Sequence, residues 1–365
     1  MRNLKRALSL ALAAIMLIGM MVVSASAASY NNLTDKDEIV NKDAVSMLVS
    51  LGIIEGKPDG SYAPTENVDR AQMAKMLSVI MNKGVDNSAL YQSVNSGLVD
   101  VNTNWAKGHI NYCYTTGIIA GRGNGKFDPS ATVTALEAAK MLLVAVGYDP
   151  KIEGFEGADW AINVSVRADE QGIFEGFTKD LSAPLNRDDA ALLIYNALDV
   201  EMIQSYTTNN YPIVYSDHRT ILSDKYGVIK VEGVVTANEW AILDDDTDTA
   251  LQEGKTRIYN PDGILSTTGN TAVAQDSSAN VKTQVFNVST PVDMLGKAVT
   301  MYVKKTTILA DSTVYGAPVV SDVNTVIETG EKVTGGDSKD GDSLAALLKG
   351  TGLATDKATE YYHNY

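Results

Sequence analysis

Residues 98–147 read LVDVNTNWAKGHINYCYTTGIIAGRGNGKFDPSATVTALEAAKMLLVAVG, and residues 33–82 read LTDKDEIVNKDAVSMLVSLGIIEGKPDGSYAPTENVDRAQMAKMLSVIMN. Set side by side at an offset of 65 without a gap, they share Asp35/Asp100, Gly52/Gly117, Ile53/Ile118, Ile54/Ile119, Gly56/Gly121, Gly60/Gly125, Pro64/Pro129 and Val68/Val133. The run Ala74-Lys75-Met76-Leu77 also matches Ala139-Lys140-Met141-Leu142. A degraded third copy follows at an offset of 55, where Trp105/Trp160, Ala106/Ala161, Gly117/Gly172, Ile118/Ile173, Gly121/Gly176 and Pro129/Pro184 agree. Repeated units of this length stack, because none can bury its apolar face alone.

The apolar spacing inside each copy is helical. Met73, Leu77, Ile80 and Met81 fall on one helix face, as do Leu136, Ala139, Leu143 and Val146. Asp69, Thr134 and Asn186 stand where these helices need an N-cap. An earlier helix, residues 105–116 in the second copy, stops at a glycine (Gly52, Gly117 or Gly172) suited to a left-handed C-terminal turn. Each copy thus reads as helix, glycine loop, short extended segment and second helix, with boundaries at 28–90, 91–150 and 151–200.

Past residue 200 the pattern becomes strand-like. Short β-rich runs at 228–236, 255–259, 283–288 and 298–304, and a further one at 313–315 ended by Gly316, predict a barrel or sandwich-like domain over 201–334. Residues 335–365, rich in Gly, Ser and Asp, read as a linker or an incomplete segment. The fold class expected is a multidomain protein, an all-α repeat module followed by a β-rich domain.

Arg2, Lys5 and Arg6, the apolar stretch 7–23 and the Ala25-Ser26-Ala27 site make residues 1–27 a secretory signal peptide. No later stretch is long and apolar enough to span a membrane, and no LPxTG-type sorting sequence follows, so surface retention is expected to be non-covalent. Removing the three leader cations takes the net charge from -15 to -18, which argues against nucleic acid as a partner. Cys113 is the one cysteine, so neither an intrachain disulfide nor a multi-cysteine metal site can form; it is expected to be a small buried helix residue.

The second copy supplies Val99-Asp100, Trp105-Ala106, Gly117-Ile118-Ile119-Ala120-Gly121, Gly125-Lys126-Phe127-Asp128-Pro129 and Val133-Thr134-Ala135-Leu136-Glu137. Taken over the three copies, this pattern resembles S-layer homology domains and covers roughly half of the mature chain. The resemblance implies a pseudo-threefold helical module that binds anionic secondary cell-wall polysaccharide, often carrying pyruvate ketals, in grooves between lobes. Arginine forks suit carboxylates, tryptophan faces suit sugar rings, and glycine lets a backbone N–H come close.

Carried over by position, the helix-start arginine is Arg70 in the first copy and Arg187 in the third, with Ala135 in the second. The tryptophan is Trp105 and Trp160, with Val40 at the first-copy position. Lys57, Arg122 and Phe177 follow the second loop glycine. The expected polysaccharide-binding residues are Arg70, Arg187, Trp105, Trp160, Arg122, Lys57, Gly52, Gly117 and Gly172, in unequal grooves. Other roles compete: the tryptophans as core aromatics, the cations as solvated or salt-bridging groups, the three glycines as helix terminators. Asp35, Asp100 and Asp159 are expected to orient local backbone.

Catalytic signals are weak. His109, His218 and His363 show no HExxH spacing, and neither a G-x-S-x-G elbow nor a P-loop is present. The acidic run 244–248 lacks the glycine of an EF-hand loop and reads as a solvated turn. The expectation is therefore a non-enzymatic protein of the cell wall or surface layer, without cofactor or metal. It would be tethered to wall polysaccharide and able to self-assemble. The alternatives are an anchored surface enzyme or an adhesin whose activity lies in the C-terminal half.

Overall fold

The computed structural model describes residues 30–243, 250–260, 282–304 and 312–321, together with the backbone of 333–334 and 360–361. The expected leader 1–27, the acidic run 244–248 and most of the tail lie outside the described residues. The helices come in three pairs: α1 (Lys42–Ser50) with α2 (Arg70–Met81), α3 (Lys107–Thr115) with α4 (Ala135–Ala145), and α5 (Trp160–Glu170) with α6 (Arg187–Leu198).

Local chemistry sets their ends. Asp69, Thr134 and Asn186 cap α2, α4 and α6 by accepting the amide N–H of Gln72, Glu137 and Asp189, and Gln72 and Glu137 return a bond to the cap residue as full capping boxes. At the other end of the first helix in each pair, the N–H groups of Gly52, Gly117 and Gly172 reach Val49, Tyr114 and Asp169 carbonyls. Those of Ile53, Ile118 and Ile173 reach Leu48, Cys113 and Ala168. These are three Schellman motifs, and the glycines carry the positive φ (70°, 79° and 69°) that such motifs need.

The residues just before the N-caps close a ring. Val68 N–H donates to the Leu185 carbonyl (2.8 Å), Leu185 to Val133 (2.8 Å), and Val133 to Val68 (2.9 Å). Each second helix then borrows a turn from another copy: Ala71 N–H donates to Pro129, Leu136 to Leu181 and Asp188 to Pro64. First-turn amides, which have no partner within their own helix, are thus satisfied across copies. The three pairs depend on one another through this arrangement.

Asp35 and Asp100 hold the glycine-aromatic-x-proline turns. Asp35 accepts the amides of Tyr62 and Ala63, both at 2.7 Å, and Asp100 those of Phe127 (2.9 Å) and Asp128 (2.8 Å). Ala63 and Asp128 sit at φ 57° and 56°, a conformation costly for an L side chain and stabilised here by the paired carboxylate. Burial tends to raise the Asp100 pKa, but the two amides outweigh it and hold the carboxyl below its ordinary value. A depressed carboxylate pKa contributes stability above the unfolded-state pKa of about 4, lost as pH falls through the folded value. Asp100→Asn is therefore expected to flatten the loss of stability below about pH 4, as read by urea unfolding across pH.

Cys113 is fully buried and its Sγ contacts the Ala74 carbonyl at 3.4 Å; burial pushes the thiol pKa up. The helical core extends past residue 200, where it takes in Ile203, Ile221, Leu222, Tyr226, Val228 and Tyr302. A short hairpin, β1 (Ile203–Tyr206) with β2 (Pro212–Val214), and a π-helical turn, Leu222–Tyr226, lay these residues on the helices. These short pieces carry no strong periodic signal in the sequence.

The antiparallel sheet that follows has the order β5-β4-β3-β6-β7: β3 (Val228–Ala237), β4 (Thr256–Tyr259), β5 (Thr283–Phe286), β6 (Ala298–Lys304) and β7 (Val314–Val320). Among the described residues it does not close, so of the expected barrel or sandwich-like domain the barrel is corrected to an open sheet, with β5 and β7 as edges that do not pair. The alternation of side chains explains why. Val228 and Tyr302 pack into the helical core, with Tyr302 edge-on to Tyr195 of α6 at 5.9 Å, while Ile229, Val231, Val299, Met301 and Val303 form a second cluster on the other face. One face thus leans on helices instead of on strands.

β7 also runs through Gly316, where the sequence had suggested an end. Its pairing with β6 shifts between Thr300 and Tyr302, and Gly316 (φ 71°) sits in the irregular stretch. A Cβ at Gly316 would lie 3.5 Å from Met47 Cβ, so the glycine also marks where the sheet edge meets α1.

Candidate functional site

Arg70 opens α2 but serves the second copy. Its Nε donates to the Phe127 carbonyl and its Nη2 to that of Ala120, both at 2.8 Å, and the guanidinium lies 4.3 Å from the Phe127 ring centre. The residue is only 4% exposed. Burial, helped by the nearby Arg122 charge, lowers its pKa to about 10, which leaves it charged at neutral pH. Two of its five N–H donors are committed to carbonyls, and the group still lines a groove.

That groove has a volume of about 420 Å³, within the usual range for ligand sites. Its walls include the loop Ala120-Gly121-Arg122, Glu137 and Lys140 of α4, Glu156, and Trp160 at the start of α5, so residues of all three helix pairs converge. Arg122 is paired with Glu137 at 2.6 Å. Lys140 makes no ion pair among the described residues; its Nζ lies 5.6 Å from the Trp160 ring centre. Burial lowers the Lys140 pKa, Arg70 adds to this, and Glu156 opposes it. The groove thus sets a half-buried indole beside Lys140, with Arg70 on the same wall; neither cation makes an ion pair among the described residues, although the Glu137 and Glu156 carboxylates share the lining.

Arg187 repeats the arrangement in the first copy. Its Nε donates to Tyr62 (2.7 Å), its Nη2 to the Glu55 carbonyl (3.3 Å), and it lies 4.8 Å from the Tyr62 ring centre. Here the flanking lysines are compensated: Lys57 pairs with Glu66 at 2.5 Å and Lys75 with Glu55 at 3.5 Å. Trp105, 58% exposed, packs edge-on against His109 at 6.4 Å; burial lowers the pKa of that imidazole, with Asp86 opposing and the Lys75 charge adding to the shift. The third equivalent position begins with Ala135 and offers Phe177, with Lys179 tied to Asp189 at 2.5 Å.

The structure therefore brings Arg70, Arg122 and Trp160 together, and separately gathers Arg187 and Lys57. Gly52, Gly117 and Gly172 close helices, as described above, and Gly172 lines a different cleft facing the sheet. Sequence reasoning did not single out Lys140. Its repetition as Lys75/Lys140 was visible, but a lysine in an amphipathic helix looks the same whether it meets solvent or an indole from another copy.

The S-layer homology domain family matches residues 32–74 and 99–139. A cell surface protein of Thermoanaerobacter kivui is 28% identical over 270 residues, covering 73% of this chain and 32% of that protein. An S-layer protein of Bacillus licheniformis is 33% identical over 113 residues, 31% of this chain and 12% of that one. An amylopullulanase of Thermoanaerobacterium thermosulfurigenes is 30% identical over 172 residues, 43% of this chain and 9% of the enzyme. The chain spans about a third or less of the length of these relatives. Among the described residues no helix is long and apolar enough to cross a membrane. Built on the same caps, turns and glycine ends, residues 32–74 and 99–139 are two S-layer homology domains, and they place the chain at the cell wall or cell surface.

Proposed function

We propose that the helical module tethers this surface protein non-covalently to an anionic wall polysaccharide, held in the groove between Arg70, Lys140 and Trp160. The observation that carries the reading is a groove in which Arg70 and Lys140, neither in an ion pair among the described residues, flank the lining that holds a half-buried indole. Such a pair suits a carboxylate, including a pyruvate ketal, and the indole suits the sugar ring that bears it. The third helix pair acts as a third repeat, and the ring of Val68, Val133 and Leu185 amides supports a pseudo-threefold module.

The β-rich region is a displayed structural or assembly element in this reading, without catalysis of its own. The match to an amylopullulanase favours, as a second reading, an anchored enzyme whose chemistry lies outside the helical repeats.

Co-sedimentation of the purified protein with cell walls tests the anchoring, before and after the secondary polymer is extracted. Pelleting should disappear with the polymer; equal pelleting with both preparations would sink the idea. Lys140→Ala is expected to weaken pelleting by about tenfold, the loss of one charge-assisted contact, with stability lowered by no more than about 1 kcal/mol, since the ammonium makes no ion pair among the described residues and loses only its contact with the Trp160 ring.

A further inference from the structure

We propose that Glu55 closes the position headed by Arg187 to anions, so that the module as it stands has one working anion site. This rests on the reading that the Arg70 groove holds the polymer. The loop residue whose carbonyl receives the helix-start arginine is Ala120 in one groove and Glu55 in the other. Ala120 adds no charge. The Glu55 carboxylate, 68% exposed, reaches Lys75, the counterpart of Lys140.

The consequence is a graded series. Among the described residues the Arg70 groove has two cations without ion pairs, Arg70 and Lys140, with the Glu156 carboxylate in the lining but not paired to either; the position headed by Arg187 has one, Arg187; the position headed by Ala135 has neither the arginine nor the lysine. There the matching loop residue is Glu175, and Leu192 stands in the place of the lysine. An exposed carboxylate pair contributes little to stability, so Glu55 can be changed without cost to the fold. Its charge still opposes an incoming anion at close range, an effect worth about tenfold or more in affinity.

A loop exchange tests this. The full protein is titrated calorimetrically with single-repeat oligosaccharides released from the wall polymer, which count sites without bridging them. The unaltered protein should bind at one site, lost in Lys140→Ala. Glu55→Ala should bind at two, returning to one when Arg187→Ala is added. Ala120→Glu should abolish binding. The double exchange Glu55→Ala with Ala120→Glu should restore one site, now sensitive to Lys75→Ala and indifferent to Lys140→Ala. A single site in Glu55→Ala, or two equal sites in the unaltered protein, overturns the role of Glu55. Failure of every variant to bind, together with failure to pellet with walls, overturns the anchoring reading and this inference with it.

Discussion

Arg70→Met is expected to destabilise the protein by about 3 kcal/mol and to abolish wall binding together. The guanidinium donates two charge-assisted hydrogen bonds, to the Phe127 and Ala120 carbonyls, each worth roughly 1.5–3 kcal/mol. It also stacks on Phe127, for about 1 kcal/mol more. Against this, methionine removes a charge that is costly to bury, which recovers part of the loss. The hydrogen bonds win because the substitution leaves carbonyls of the second copy without partners while filling a similar space. Arg70→Lys should rescue little, since an ammonium cannot fork to two carbonyls or lie flat on the ring. Urea unfolding reads the stability and co-sedimentation the binding; a loss below about 1 kcal/mol would mean that the arginine is not part of the scaffold.

Gly108→Ala should cost about 3 kcal/mol, against the sign that helix propensity predicts. Within α3 alanine is favoured over glycine by about 1 kcal/mol. A Cβ at this position would lie 2.1 Å from the Ser88 carbonyl oxygen and 2.7 Å from its carbon, and backbone cannot rotate away as a side chain can. The short 3₁₀ turn Ser88–Tyr91 would have to lift from α3. That would strain the bonds from Asn111 Nδ2 to Tyr91 and Val94 (3.0 and 2.8 Å) and the Tyr91–Tyr112 edge contact at 4.9 Å. Overpacking of this kind costs roughly 1–3 kcal/mol or more, beyond the propensity gain. A fall in melting temperature of several degrees is the expected reading, and a rise would show that the turn yields freely.

The repeat signal and the helix-to-strand change near residue 200 were legible because they rest on short-range rules. N-caps, glycine ends and apolar spacing each involve residues a few positions apart. The sheet was less legible: its strands at Val228–Ala237 and Ala298–Lys304 announced themselves, but its openness did not. Closure depends on what covers each face, and here α6 and the helical core meet one of them. The groove was half legible. Arg70, Arg122 and Trp160 could be named from the pattern, while Lys140 could not be told from an ordinary solvated lysine.

From the sequence alone came the repeat architecture, the caps at Asp69, Thr134 and Asn186, and the inequality of the copies at Arg70/Ala135 and Val40/Trp105. Only the tertiary structure decided which copies share a groove. Arg70 of the first copy reaches 57 residues along the chain to Phe127, and Arg187 of the third reaches 125 residues back to Tyr62. The physical reason is the ring of amides among Val68, Leu185 and Val133, which turns each helix start toward a neighbour's loop. Those pairings carry no local signature, so Glu55 and Ala120 gain their meaning only once the ring has closed.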